Sequence, residues 1–185
     1  MLTIGHSTLP IEVFLTILRE NGVQVVADIR TVPKSRHNPQ FSRENLEPAL
    51  AAAGIRYRWY RELGGLRHAR KDSINTGWRN PSFRGYADYM QTAEFAVALD
   101  GLLKSVPVEH TALMCAEAVP WRCHRSLVGD ALAVRGIAAE DITYSAQGNS
   151  RRTAHRMTPF ARVEGGRLWY PAEDDLFPGS EEPGG

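Results

Sequence analysis

The chain predicts an α/β domain of the three-layer, Rossmann-like kind, with a mainly parallel sheet of about five strands. Three observations lead there. Short apolar or β-branched runs alternate with longer segments whose apolar residues recur at helical spacing. Glycines fall where the helical patterns stop, at Gly22, Gly54 and Gly136. Strand and helix take turns throughout, which favours parallel strands joined by crossover helices.

Met1–Ile4 reads as the first strand. Gly5, His6 and Ser7 form a turn, and Ser7 or Thr8 caps a helix with Pro10 in its first turn and Ile11, Phe14, Leu15 and Leu18 on one face. Val23–Ile29 is a β-branched second strand. Ser42 caps a second helix through Leu46, Leu50 and Ala53. Ile55–Tyr60, with polar residues at alternate positions, is a third strand nearer an edge. Leu63–Arg84 is a long loop, Tyr86–Leu103 is helical with a break near Thr92, and Thr111–Ala116 is a fourth strand. His124–Arg135 is a helix and Ile142–Ser145 a fifth strand. Arg151–Pro171 is irregular, with a strand at Leu168–Tyr170.

The 185 residues suit one domain over 1–172, followed by an acidic, Gly/Pro-rich tail over 173–185 expected to be disordered. A hydrophobic content of 43% and a charged content of 23% are those of an ordinary globular protein, and a net charge of +1 selects no partner. No apolar stretch reaches membrane-spanning length. The chain opens on a short apolar segment without a basic leader, so a cytoplasmic protein is expected. Two cysteines make no disulfide scaffold, and a Cys115–Cys123 disulfide is not expected to persist in a reducing compartment.

In open parallel sheets the site lies beyond the carboxyl ends of the strands. The first strand runs into His6 and Ser7, the second into Asp28 and Arg30, the third towards Gly64 and Gly65, and the fourth into Cys115 and Glu117. His6, Asp28, Arg30, Cys115, Glu117 and Arg125 are therefore expected to line one cleft. Cys115, at a strand end before a helix, is either a low-pKa nucleophile or a small buried hydrophobe. Cys123, His124, Arg125 and Ser126 at a helix start make an anion cradle of N–H groups, a hydroxyl and a guanidinium. Arg125 could instead pair with Asp28 or Glu117. Zinc would draw on Cys115, Cys123 and His124 with Glu117 or His6, but their sequence spacing is not a usual one. No metal and no cofactor is expected.

The loop over 64–84 interleaves Arg67, His68 and Arg70 with Trp78 and Phe83, a mixture that suits nucleotide stacking or, more plainly, an exposed connection. Thr31–Arg36 and Asn38–Phe41 form a Pro-fixed basic loop after the second strand.

The strand-end cysteine followed by arginine and a helix resembles rhodanese-like and cysteine-phosphatase domains, and Val25–Arg30 resembles an early rhodanese segment. Those families enclose a shorter loop between cysteine and arginine. Here Arg122 lies seven positions beyond Cys115 and Arg125 ten, so neither activity is carried over. A closer resemblance covers nearly the whole chain. Thr3–Ser7 (TIGHS), Asp28–Ser35 (DIRTVPKS), Pro39–Phe41 (PQF), Leu63–Gly65 (LGG), Tyr86–Met90 (YADYM), Leu113–Glu117 (LMCAE) and Cys123–Ser126 (CHRS) resemble, in order, the domain of unknown function 488 family. The resemblance implies a single α/β domain and no particular reaction. The family's usually polar segment between its cysteines is here the more apolar Ala118–Arg122.

These readings give a small enzyme acting on an anionic, phosphate-bearing or nucleotide-derived substrate. His6, Ser7, Arg30, Arg125 and Ser126 are assigned to anion binding, Glu117 or Asp28 to acid–base work, and Cys115 or His124 to the chemistry. The alternatives are a non-catalytic nucleic-acid-binding module using loop 64–84, and a buried ion-pair network that only fixes the fold. No membrane partner is expected, and the pattern carries no signal of oligomeric state.

Overall fold

A computed structural model describes residues 1–145 and 147–172. The expected tail over 173–185 lies outside the described residues.

The chain is an α/β sandwich. Its strands are β1 (Leu2–Gly5), β2 (Val25–Asp28), β3 (Arg56–Trp59), β4 (Thr111–Cys115), β5 (Glu140–Tyr144) and β6 (Ser150–Ala154). They form a six-stranded sheet in the order β3-β2-β4-β1-β5-β6, in which β1 to β5 run parallel and β6 pairs antiparallel with β5. A separate hairpin joins β7 (Arg162–Glu164) to β8 (Arg167–Trp169) through Gly165 and Gly166, both at positive φ. The helices are α1 (Ile11–Glu20), α2 (Arg43–Ala52), α3 (Pro81–Tyr89), α4 (Ala93–Ser105) and α5 (Arg125–Val134).

The central strands place successive side chains in opposite layers, as their period of two requires. Val25 and Ala27 of β2, with Leu113 and Cys115 of β4, pack with Leu99, Leu102, Leu127 and Val128 of α4 and α5. Val26, Ala112 and Met114 pack instead with Phe14, Ile17, Leu46 and Leu50 of α1 and α2. Cys115 therefore lies on the α5 side of the sheet. The half-polar β3 is indeed an edge strand.

The differences from expectation are local. Neither Ser7 nor Thr8 caps α1; Pro10 occupies the cap position, and Ser7 instead adopts a φ of 45°. Ser42 stands at the cap of α2 without a side-chain bond. The long loop ends before Arg84, because Asn80 caps α3 by accepting from the Ser82 N–H at 2.9 Å. The expected break at Thr92 is a new helix start, its hydroxyl accepting from the Phe95 N–H. The segment read as irregular contains β6, whose SRRTA sequence is mostly exposed and offers no apolar pattern.

Loop 64–84 is pinned from within. Asp88 accepts from the Arg70 N–H, the Ser73 hydroxyl and the Asn75 amide. Trp78 packs on Phe83 (4.7 Å), Phe160 (4.9 Å) and Tyr170 (5.7 Å), while Arg67 lies 3.6 Å over the Tyr89 ring. Among the described residues, no helix is long and apolar enough to cross a membrane.

Candidate functional site

The segments that leave β1, β2 and β4 are laced together just beyond the sheet. The His6 N–H donates to the Cys115 carbonyl (3.0 Å), Ser7 N–H to Ala116 (2.9 Å), and Ile29 N–H to Met114 (3.0 Å). Gly5 is required for this approach. A Cβ there would lie 1.8 Å from the Glu117 carbonyl oxygen and 2.5 Å from its carbon, both backbone atoms. Gly5→Ala is accordingly expected to destabilise the protein by about 3 kcal/mol. A thermal midpoint lowered by less than roughly 3 °C would show that the loop yields at little cost.

A cleft of about 620 Å³ opens at this edge, within the usual size range of small-molecule sites. His6, Ser7, Arg30, Cys115, Glu117 and His124 line it, as does Cys123. Lys34 and Arg122 stand exposed on its rim. Three expected site residues are not on its wall. Asp28, fully buried, accepts from the Arg30 side chain (2.6 Å at the shortest), the Arg30 N–H and the Tyr57 hydroxyl (2.7 Å), which take up both carboxylate oxygens. Arg125, also fully buried, donates to the Glu117 and Ala118 carbonyls at 2.7 and 3.0 Å. Ser126 turns both its N–H and its hydroxyl to the Cys123 carbonyl. At the helix start, the Arg125 guanidinium and Ser126 thus bond to the protein's own carbonyls, while Cys123 and His124 line the cleft.

His6 stacks on Phe41 at 4.1 Å, and its Nε2 accepts from Arg30, whose guanidinium also donates to the Phe41 carbonyl. Burial, reinforced by the Arg30 charge, holds His6 down at about 4, so it is neutral at pH 7.

The reactive groups sit together on the cleft floor. His124 donates from Nε2 to the Ile29 carbonyl (3.1 Å), which leaves Nδ1 facing two sulfurs, Cys115 Sγ at 3.8 Å and Cys123 Sγ at 3.7 Å. Gly65 gives the ring its place, since a Cβ there would lie 2.4 Å from Nδ1. A hydrogen bond from Cys123 draws the Cys115 thiol well below its ordinary pKa; His124 and the charges of His124 and Arg125 act the same way, against burial. Cys123 moves the other way. Its bond to Cys115, burial and the Cys115 charge raise it, against the Arg125 charge and N–H.

The spacing argument against a metal does not survive the fold. Cys115, Cys123 and His124 offer three ligand atoms within 4.8 Å of one another. Their sulfur–nitrogen separations are close to those of adjacent corners around a zinc-class ion with bonds of about 2.0–2.3 Å. These residues could hold a thiophilic metal. Cys123, which the sequence places in the helix-start cradle and in the zinc set, stands on the cleft beside Cys115 and His124.

Comparison with known proteins gives one relationship. The family model described as "Domain of unknown function DUF488" matches residues 10–132. That span includes Arg30, both cysteines and His124, but not His6 or Ser7. No curated protein and no solved structure matches the chain.

Proposed function

The chain belongs to the DUF488 family, and since that membership names no reaction, we propose from the cleft itself that the protein is a small thiol-dependent enzyme acting on an anionic molecule. The observation that carries this reading is the Cys115–His124 pair. A strand-end thiol faces an imidazole nitrogen at 3.8 Å, the other ring nitrogen is fixed on a backbone carbonyl, and both side chains line a cleft. A nucleophile, its base and an orienting group are thereby in sequence.

Cys115 is the nucleophile, and His124 takes and returns the proton at Nδ1. Lys34 and Arg122 supply the positive rim; among the described residues neither has an ion-pair partner. Glu117 on the cleft wall is the remaining acid–base group, its Oε1 accepting from the Val119 N–H. The nucleic-acid reading is less favoured, because the Trp78 ring packs against Phe83, Phe160 and Tyr170.

Alkylation tests both halves of the proposal. Iodoacetamide at neutral pH is expected to modify Cys115 at least about tenfold faster than a free thiol, as a thiolate should be. Anionic iodoacetate should gain relative to iodoacetamide, and Lys34→Ala with Arg122→Ala should remove that gain. A Cys115 no more reactive than free cysteine would end the nucleophile reading. An unchanged iodoacetate ratio in the double variant would end the anionic one.

A further inference from the structure

We propose that Cys123 is a resolving thiol for Cys115, and that the substrate class is an anionic low-molecular-weight disulfide. The inference rests on the nucleophile reading above and adds a second reacting group and a substrate chemistry to it.

The geometry is the starting point. Cys123 lies as close to His124 Nδ1 as Cys115 does, at 3.7 against 3.8 Å, and both sulfurs line the cleft while otherwise buried. One imidazole nitrogen can therefore serve either thiol. A second thiol beside a nucleophile contributes little to acyl or phosphoryl transfer, where the adduct is attacked at carbon or phosphorus. It contributes directly when the adduct is a disulfide, because the bond to be broken then ends on the Cys115 sulfur itself. The rim cations Lys34 and Arg122 favour a disulfide carrying carboxylates.

The steps balance. The Cys115 thiolate, its proton held on His124 Nδ1, attacks one sulfur of R–S–S–R, forming a Cys115–S–S–R mixed disulfide; the leaving R–S⁻ takes the proton from Nδ1 and departs as R–SH. Cys123 then gives its proton to the freed His124 Nδ1 and attacks the Cys115 sulfur, forming the Cys115–Cys123 disulfide, and the second R–S⁻ departs as R–SH with that proton. The substrate gains two electrons and the cysteine pair loses two; a dithiol reductant restores the pair.

The test uses the full reduced chain, with oxidised glutathione as an anionic disulfide and cystamine as a cationic one, followed by acid quench and intact mass. Wild type is expected to release two thiols per chain and to become lighter by two hydrogens, with peptide mapping placing the bond between Cys115 and Cys123. Cys123→Ser should release one thiol and stop with a glutathionyl group on Cys115. Cys115→Ser should react at least about tenfold more slowly than wild type. Oxidised glutathione should outpace cystamine several-fold.

Wild type that stops at the mixed disulfide, like Cys123→Ser, would overturn the resolving role. Stoichiometric zinc in untagged protein, with both thiols unreactive until it is chelated, would overturn it in favour of a metal site. Equal rates with the two disulfides would overturn the substrate class. Fast alkylation of Cys115 without an internal disulfide leaves the nucleophile standing, whereas slow alkylation removes both readings. The wild-type mass and mapping stand even if a variant misfolds.

Discussion

Replacing His155 with alanine is expected to destabilise the protein by about 3 kcal/mol and to abolish the loss of stability on the alkaline side. His155 follows β6 and sits between two carboxylates, with Nε2 2.8 Å from Asp130 and Nδ1 3.6 Å from Asp141. Asp130 is fully buried and also receives the Tyr170 hydroxyl and the Thr158 N–H; Asp141 receives the Thr3 hydroxyl. Burial works against the imidazolium, yet Asp130 and Asp141 hold it up to about 9. A histidine raised in the folded state adds stability that is complete below its unfolded value near 6.5 and is lost as pH rises through about 9. His6 sets the acid limb by the opposite sign. Held at about 4 when folded, it is neutral while the unfolded chain takes up a proton, so stability falls as pH drops from about 6.5 through about 4. Urea denaturation across about pH 4 to 9.5 should show both limbs, with His155→Ala removing the alkaline one and His6→Gln flattening the acid one. A His155→Ala profile that keeps its alkaline decline would show that another group causes it.

That pair also marks what the sequence could and could not convey. The alternation of β2 and β4 between two layers follows from unbroken apolar runs, and Gly22, Gly54 and Gly136, which end helical patterns, all take positive φ. The gathering of strand ends into one edge follows from parallel order, and six of the expected site residues line the cleft there. By contrast β6 is nearly all polar, and it enters the sheet through backbone bonds to β5, which leave no side-chain pattern. His155 could not be seen as part of a buried triad, because Asp130 and Asp141 come from α5 and β5 and meet only in the fold.

Side-chain direction is the other missing quantity. A helix start places N–H groups and an arginine together, but the pattern does not say whether they face the cleft or the preceding loop. Asp28 and Arg30 stand at the right strand end, and most of their capacity is taken up by one another. The same distinction, between a residue at the site and a residue that builds the site, governs Arg125.

Arg125→Met is expected to cost about 2–4 kcal/mol and to move the pH profile of Cys115 alkylation upward. The guanidinium is fully buried, and among the described residues no carboxylate pairs with it. Its hydrogen bonds go to the Glu117 and Ala118 carbonyls, while Nε has no partner. Removing it leaves two loop carbonyls to find water and releases the segment that turns from Cys115 towards Cys123. Its charge also favours thiolate on Cys115, beside the larger effects of Cys123 and His124. The two roles separate in Arg125→Lys. A lysine keeps the charge but cannot span two carbonyls with a planar fork, so it should restore part of the thiol's acidity and little of the stability. The pH dependence of iodoacetamide labelling reads the first and chemical denaturation the second. If both variants lose stability while the Cys115 profile stays where it was, Arg125 only braces the loop, and the thiolate owes its acidity to Cys123 and His124 alone. If the profile moves up in Arg125→Met and returns in Arg125→Lys, the buried arginine is the fixed positive charge against which the cysteine pair is set.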